Sequence, residues 1–146
     1  MRVRKLIHSD IEICTELFIR VFNAEPWNDN WSRERAKIYL EEYIKSPGFI
    51  GAVVELDETI KGFILGSRKS WWSGDEYYVN EFCVDLDIQR SGIGTNLLRF
   101  LEETLKNEGV QRITLLTERG IAAESFYMKN EFRVVDRLIF MYKELK

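Results

Sequence analysis

The chain has 146 residues, of which 45% are hydrophobic and 31% are charged, and its formal net charge is −3. This length and composition predict a single folded domain over residues 1–146, with enough apolar surface to bury a core without disulfide or metal support. The weak negative charge gives no basis for a nucleic-acid partner, and no apolar run is long enough to span a membrane. We therefore expect neither partner, and we expect a cytoplasmic location.

The spacing of apolar residues predicts strands and helices along the whole chain. Predicted strands are Val3–Ile7, Phe49–Leu56, Thr59–Ser67, Tyr77–Val84, Gln111–Thr117, Arg133–Val135 and Leu138–Leu145. Predicted helices begin near Ser9, at Ser32, at Ile93 and at Ile121. Central parallel strands with helices between them indicate an α/β sheet whose ligand lies at the strand ends.

Two cysteines, Cys14 and Cys83, stand in a predicted helix and a predicted strand. Their spacing fits no metal site, so we expect buried, reduced thiols and no bound metal. The sequence gives Cys83 no histidine partner, so no activated nucleophile is expected there.

A glycine-containing turn joins the predicted strand Tyr77–Val84 to the helix that begins at Ile93. Its sequence from Gln89 is Gln-Arg-Ser-Gly-Ile-Gly. Two residues without a Cβ allow several backbone N–H groups to crowd around one point. The N-terminus of the following helix adds partial positive charge at that point, and the combination is typical of a phosphate site.

Two well-known phosphate loops do not fit this turn. A P-loop needs Gly-Lys-Ser/Thr, whereas Gly94 is followed by Thr95 and Asn96. A dinucleotide-binding fingerprint needs a third glycine, and Leu97 stands there instead. The pattern Gln-Arg-x-Gly-x-Gly after a strand ending in Val-Asp resembles the acetyl-CoA loop of the GNAT superfamily of N-acyltransferases. Further along, Ala-Glu-Ser-Phe-Tyr-Met-Lys-Asn-Glu-Phe over residues 123–132 resembles the A-x-x-F-Y-x-K-x-G-F segment of that family.

The resemblance implies a fold and a cosubstrate. The fold is α/β (α+β by some schemes), with a mixed, mostly antiparallel sheet of about six to seven strands, splayed between strands four and five and flanked by about four helices. Acetyl-CoA is the implied cosubstrate, with its pantetheine arm in the gap beside the fourth strand. The implied contact residues are Phe82, Cys83, Val84, Gln89, Arg90, Ser91, Gly92, Ile93, Gly94, Thr95 and Phe126. For Arg90, a charge contact with phosphate and a solvated side chain stay equally open.

Acetyl transfer to an amine requires a group that removes a proton. A primary amine with a pKa near 10 is almost entirely protonated at pH 7, and deprotonating it costs about 4 kcal/mol. A buried carboxylate with a raised pKa can accept that proton through water, and Glu81 in the central predicted strand is the candidate. A purely structural carboxylate is the competing interpretation. Tyr78 and Asn80 would face the other side of the sheet unless a bulge intervenes, as it does in the family, so Glu81, Asn80, Tyr78 or water alone stay open.

Tyr127 matches the family tyrosine that approaches the CoA sulfur, and its implied role is a hydrogen bond to the departing thiolate. A core tyrosine beside Phe126 is the alternative. Two positions depart from the family pattern: Gly120 stands where asparagine is frequent, and Glu131 replaces the usual glycine. The first removes a side-chain contact to the cofactor arm, and the second is expected to alter only a turn.

Clustered tryptophans mark two loops, Glu25–Trp31 and Arg68–Gly74, as candidate acceptor sites. Rigid aromatic walls together with carboxylates would bind a cation. The proposed acceptor contacts are Trp27, Asn28, Trp31, Trp71 and Asn80. The alternative is that the tryptophans only seal the edge of the core.

The sequence therefore predicts an acetyl-CoA-dependent N-acetyltransferase that acts on a small, cationic amine by direct transfer in a ternary complex. A protein or peptide N-acetyltransferase is one alternative, and a non-catalytic acyl-CoA-binding regulatory module is another. The acceptor, the acyl chain and the oligomeric state stay open, a homodimer included.

Overall fold

The computed structural model describes all 146 residues, which divide into two compact units, residues 1–116 and residues 117–146. The first unit contains five strands and three α-helices, and the second contains one α-helix. The strands are β1 (Arg2–Lys5), β2 (Phe49–Leu56), β3 (Thr59–Lys69), β4 (Glu76–Val84) and β5 (Arg112–Leu115); the helices are α1 (Ile11–Phe22), α2 (Arg33–Ile44), α3 (Ile93–Asn107) and α4 (Ala122–Lys129). A single domain over the whole chain stays a prediction.

The five strands lie side by side in chain order. Neighbouring strands are antiparallel except β4 and β5, which are parallel. The β4–β5 ladder joins Glu76–Val79 to Arg112–Leu115, whereas β4 continues to Val84. The far half of β4 therefore extends past the end of β5. The predicted mixed, mostly antiparallel sheet with four helices is confirmed.

Helices cover the sheet because its strands carry apolar residues on both sides. Val53, Phe63 and Leu65 belong to one buried cluster with residues of α1 and α2, including Cys14, Leu17 and Leu40. Alternate residues of the same strands, such as Val54 and Ile64, are fully buried and point to the other side. Helix α3 packs on β2 and β3 and buries four leucines. Cys14 and Cys83 are buried free thiols, as predicted. None of the helices has both the length and the apolar run needed to cross a bilayer.

A β-bulge in β4 decides which side chains share a face. Leu65 of β3 lies opposite Glu81, and the next residue, Gly66, lies opposite Val79, so Asn80 is the extra residue. The bulge puts Tyr78 and Glu81 on the same side of the sheet, the side that α2 covers. A Cβ atom at Gly66 would lie 2.0 Å from the carbonyl oxygen of Tyr78, so the bulged register requires glycine there.

Residues 133–146 form no strand. The predicted strands Arg133–Val135 and Leu138–Leu145 are therefore wrong, and the sheet has five strands rather than six to seven. Residues with high strand propensity form a strand only where their backbone pairs with a neighbouring strand. The second unit contains no strand with which residues 133–146 could pair. The apolar side chains of this segment are exposed, Ile139 by 78% and Leu145 by 90%.

Candidate active site

The loop between α1 and α2 is closed by hydrogen bonds at its ends. The side chain of Ser32 accepts a 3.1 Å hydrogen bond from the backbone N–H of Arg35 and so begins α2, as predicted. The Asn23 side-chain amide accepts from the Trp31 N–H at 2.8 Å and donates to the Trp31 carbonyl at 3.0 Å. The Trp31 indole N–H donates to Oδ2 of Asp29 at 3.0 Å. These bonds hold Trp31 and Asp29 at the start of α2.

Both tryptophans of this loop lie on aromatic side chains of the helices. The Trp31 ring centroid is 5.1 Å from that of Phe18 and 5.0 Å from that of Tyr39. Trp27 lies 5.4 Å from Phe22. The tryptophans therefore cover the edge of the core. Trp31 also contacts Tyr39, whose hydroxyl group binds Glu81.

Glu81 is the carboxylate that the bulge turns toward α2. The Tyr39 hydroxyl donates a 2.6 Å hydrogen bond to its Oε2. Burial raises the pKa of Glu81 to about 7, the Tyr39 hydrogen bond opposes that rise, and the negative charge of Asp29 adds to it. A carboxyl group with this pKa is substantially ionised at neutral pH and can also hold a proton there. That is the property a general base needs.

The glycine turn lies between β4 and α3, as the sequence predicts, and a short 3-10 turn, Leu86–Ile88, separates it from the end of β4. Gly92 precedes α3 with φ of 86°, a left-handed conformation that favours glycine. The first helical bond runs from the Asn96 N–H to the Gly92 carbonyl at 3.1 Å. The N–H groups of the first helical turn, residues 93–95, have no acceptor within the helix and can bind an anion. A Cβ at Gly92 would meet no atom within 4 Å, so the turn is open at this point.

Side chains fix the path from β4 into this turn. Asp85 is buried, forms ion pairs with Arg20 at 3.0 Å and Lys61 at 3.6 Å, and accepts from the Asp87 N–H at 3.2 Å. The Gln89 side chain donates to the Val84 carbonyl at 3.0 Å. The sequence motif placed Gln89 in a cofactor loop, but the structural role of Asp85 was not predicted.

Comparison with known proteins assigns the family. Residues 12–132 match the Acetyltransferase (GNAT) family. The chain belongs to the GNAT acetyltransferase family. The match covers most of the chain and includes β4, the glycine turn and α4. The comparison with curated proteins gave no match.

Solved structures share the GNAT fold at low sequence identity. A possible acetyltransferase of Clostridium difficile 630 superposes with a TM-score of 0.84 at 13% identity, over 99% of this chain and 98% of that chain. The aminoglycoside acetyltransferase meta-AAC0020 from an uncultured soil metagenomic sample, in complex with sisomicin, gives 0.77 at 18% identity, over 99% and 96%. AAC(6')-Iy in complex with the bisubstrate analog CoA-S-monomethyl-acetylneamine gives 0.77 at 15% identity, over 99% and 98%. At these identities the likeness establishes the fold.

In this GNAT chain, Phe126 and Tyr127 belong to the second unit. The Tyr127 ring centroid lies 5.5 Å from that of Phe126 and 5.2 Å from that of Phe132. Gly120 adopts φ of 85°, and its N–H donates to Oε1 of Glu124 at 2.8 Å. Glu131 adopts φ of 69°, the left-handed conformation for which the family glycine is suited. The roles predicted for Phe126 and Tyr127 stay predictions.

The second tryptophan loop differs from the first in its exposure. Trp71 is 54% exposed and Trp72 is 89% exposed. The loop joins β3 to β4 where Lys69 pairs with Glu76. Glu81 lies about 15 Å farther along β4, given the rise of a strand. The contacts of the structure thus join Trp31, and not Trp71, to Glu81 through Tyr39.

Sequence reasoning missed Tyr39 and Asn23 as residues of the site. Tyr39 and Tyr43 stand four residues apart on α2, a spacing that places them on one face of the helix. No local pattern shows which strand residue their hydroxyl groups meet, because that depends on the bulge in β4. Among the His, Cys, Asp and Glu side chains, no group of three or more is arranged to hold a metal ion.

Proposed function

We propose that this GNAT acetyltransferase moves an acetyl group from acetyl-CoA to the amine of a small cationic acceptor, by direct transfer in a ternary complex. Membership of the family supports acetyl transfer. The observation that carries the choice of an amine is Glu81, a carboxylate whose burial raises its pKa to about 7. Such a group is suited to accept the proton that an ammonium group must lose before it can attack.

Acetyl-CoA is proposed to bind along the far half of β4, residues 82–84, and at the glycine turn, residues 89–95, with Phe126 as a further contact. The ladder to β5 ends at Val79, and β4 continues beyond it. The open left-handed Gly92 and the N-terminus of α3 suit a pyrophosphate. The AAC(6')-Iy structure holds a CoA-containing bisubstrate analog, and a second structure of that enzyme is a complex with CoA.

The acceptor is proposed to lie near Glu81, Asp29 and Trp31. Two carboxylates attract a cation, and the indole face of Trp31 can add a cation–π contact. Trp27, Asn28, Asn80 and Trp71 are proposed as outer contacts. Aminoglycosides, which carry several amino groups, fit this description, and the structural neighbour meta-AAC0020 is a complex with sisomicin.

The proposed chemistry gives Glu81 the role of proton acceptor and Tyr127 the role of hydrogen-bond donor. Ionised Glu81 takes a proton from the ammonium group through water, and the freed nitrogen lone pair attacks the thioester carbonyl carbon. The carbon–sulfur bond breaks, and CoA leaves as a thiolate to which Tyr127 donates a hydrogen bond. The nitrogen, which becomes cationic when it attacks, loses its second proton to water as the amide forms, and water returns a proton to the thiolate to give the thiol of free CoA. A phenol has a pKa near 10 and a thiol near 8.5, so full proton transfer to sulfur is uphill by about 2 kcal/mol. A hydrogen bond that strengthens as charge develops is sufficient.

The test of this function measures CoA release over a panel of sisomicin, spermidine and a peptide with a free N-terminus. Glu81→Gln should lower turnover by about a hundredfold or more, with the acetyl-CoA Kd unchanged. Glu76→Gln, on the same strand but paired with Arg112 at 2.9 Å, is the matched control and should retain turnover.

Full turnover in Glu81→Gln would remove the base assignment. Turnover on the peptide alone would favour a peptide acetyltransferase, and acetyl-CoA binding without turnover would favour a regulatory module.

The cofactor site is tested by a matched pair of glycines at the two ends of α3. Gly92 and Gly109 adopt φ of 86° and 79°, and a Cβ at either position would meet no atom within 4 Å. Alanine at either position therefore costs similar backbone strain. Gly92→Ala should weaken acetyl-CoA binding in calorimetry by at least about tenfold, whereas Gly109→Ala should not. Equal affinities in the two folded variants would contradict the proposed cradle.

A further inference from the structure

Glu81 is held by an aromatic hydroxyl group that the proposed chemistry does not use. The Tyr39 hydroxyl donates to Oε2 of Glu81 at 2.6 Å, and the Tyr43 hydroxyl donates to the Tyr39 hydroxyl at 3.3 Å. Both tyrosines lie on α2, about one helical turn apart. An O–H···O⁻ distance of this length is typical of a charge-assisted hydrogen bond, which is stronger than a neutral one.

Aromatic contacts fix the direction of the Tyr39 hydroxyl. The Tyr39 ring centroid lies 5.0 Å from that of Trp31 and 5.7 Å from that of Phe18. Tyr43 meets the ring edge-on, at 5.0 Å and an angle of 84°. A ring packed on three neighbours cannot swing its hydroxyl away from Glu81 without disturbing the core.

Several ionisable groups face Glu81 from the elements around it: Tyr39 and Tyr43 from α2, Asp29 from the loop before α2, and Tyr78 and Cys83 from β4. The facing residue of β3, Leu65, is apolar. Burial and Asp29 both favour the neutral carboxyl group, and the Tyr39 hydrogen bond favours the carboxylate. Tyr39 is thus the neighbour that opposes protonation of Glu81.

We propose that Tyr39 is a positioning residue for acetyl transfer: its hydroxyl orients the Glu81 carboxylate and preserves its proton-accepting form at neutral pH. This inference rests on the proposed function, in which Glu81 accepts the amine proton. Tyr39 does not take that proton itself, because burial and the adjacent carboxylate raise its pKa and keep the phenol protonated. With Oε2 bound by Tyr39, Oε1 is the oxygen left to meet the amine or its water.

The experiment compares Tyr39→Phe with Tyr43→Phe. The second substitution removes a hydroxyl group of the same helix, and that hydroxyl group is not hydrogen-bonded to Glu81. The pKa of Glu81 is measured by carbon NMR of labelled glutamate side chains, with Glu81→Gln identifying the signal. The pH profile of kcat/KM is measured with the panel amine that gives turnover. In Tyr39→Phe we expect both midpoints to rise by about one unit, and kcat/KM at pH 7 to fall about fivefold. In Tyr43→Phe both shifts should be smaller.

A second variant moves the midpoints in the opposite direction and keeps the ring in place. Incorporation of 3-fluorotyrosine at position 39 makes the phenol more acidic and therefore a stronger hydrogen-bond donor. The Glu81 midpoint and the kcat/KM profile should then move to lower pH. This variant decides the question even if Tyr39→Phe does not fold.

The outcomes separate the two proposals. An unchanged Glu81 midpoint in a folded variant overturns the inference about Tyr39 and leaves the base assignment standing. A Glu81 midpoint that moves while the kcat/KM profile does not overturns the base assignment, and with it any role of Tyr39 in the reaction. A lower Tm with both midpoints unchanged reduces Tyr39 to a packing residue.

Discussion

Similar apolar side chains are buried in the first unit and exposed in the second. In residues 1–116, Val53, Phe63 and Leu65 are fully buried between a sheet and its helices. In residues 117–146, Ile139 and Phe140 stand in an equally apolar run, yet they are 78% and 73% exposed. The difference lies in their backbones. Each strand of the first unit has a ladder partner, and the run 138–142 forms no strand.

An apolar sequence pattern therefore predicts a buried strand only where a second strand is available to pair with it. Burial of one such side chain stabilises a fold by about 1.5–3 kcal/mol, but only when a complementary surface is present. The site residues Glu81 and Tyr39 owe their geometry to the partnered unit, where a bulge and an aromatic cluster fix them. Four substitutions test this contrast.

The largest expected effect comes from Gly66→Ala, which breaks the partnered unit at its bulge. The new Cβ would lie 2.0 Å from the Tyr78 carbonyl oxygen and 2.9 Å from the Tyr77 ring, so strand β4 must shift. We expect a loss of more than about 3 kcal/mol in the free energy of unfolding, measured in urea. Gly62→Ala, where the Cβ would approach no atom closer than 3.1 Å, is the control and should cost less. Equal costs would show that the bulged register does not depend on Gly66.

A smaller effect is expected from Glu81→Gln on the pH dependence of stability. The folded pKa of about 7 exceeds the ordinary value of 4.5, so the folded state binds more protons between these two values. The stability due to neutral Glu81 is therefore complete below pH 4.5 and is lost as pH rises through 7, by up to about 3 kcal/mol. Subtracting the variant's unfolding free energy from that of the wild type, pH by pH, isolates this loss. A flat difference would mean that Glu81 is not effectively buried.

These two substitutions also show what sequence can and cannot predict about the site. The Ser32 cap and the glycine turn before Ile93 are local signals, and both were predicted in the right place. The side of the sheet on which Glu81 lies depends on the extra residue Asn80, and only the family resemblance suggested a bulge. The hydrogen bond between Tyr39 and Glu81 joins residues 42 positions apart, so neither the sequence around Tyr39 nor the sequence around Glu81 predicts it.

The C-terminal strands were predicted wrongly for a related reason. Residues Leu138–Leu145 have high strand propensity, and propensity largely reflects how well side chains fit a paired surface. The second unit offers no second strand to make such a surface. A pattern taken from one segment alone cannot reveal that its partner is missing.

An effect of about 1 kcal/mol is expected in the second unit from Glu131→Gly. Glu131 has φ of 69°, which is costly for a residue with a Cβ and free of that cost for glycine. Gly at this position should raise the local stability of the turn after α4, seen as slower hydrogen exchange of the Phe132 amide, which bonds to the Tyr127 carbonyl at 3.0 Å. Glu131→Ala keeps the strain while removing the carboxylate, so it should change little. Similar slowing in both variants would assign the effect to charge instead.

The smallest effect on stability is expected from Phe140→Ser. The side chain is 73% exposed, so its removal should change the free energy of unfolding by less than about 0.5 kcal/mol. Phe63→Ala, at a fully buried position of β3, is the opposite extreme and should cost about 3–5 kcal/mol. Urea unfolding at two protein concentrations measures both. A Phe140→Ser loss above 1 kcal/mol that does not depend on concentration would show that the segment packs within one chain, and the contrast between the units would fail. A loss that grows with concentration would show instead that Phe140 contacts a second copy, because an exposed run of strand-forming residues is a surface that another chain can cover.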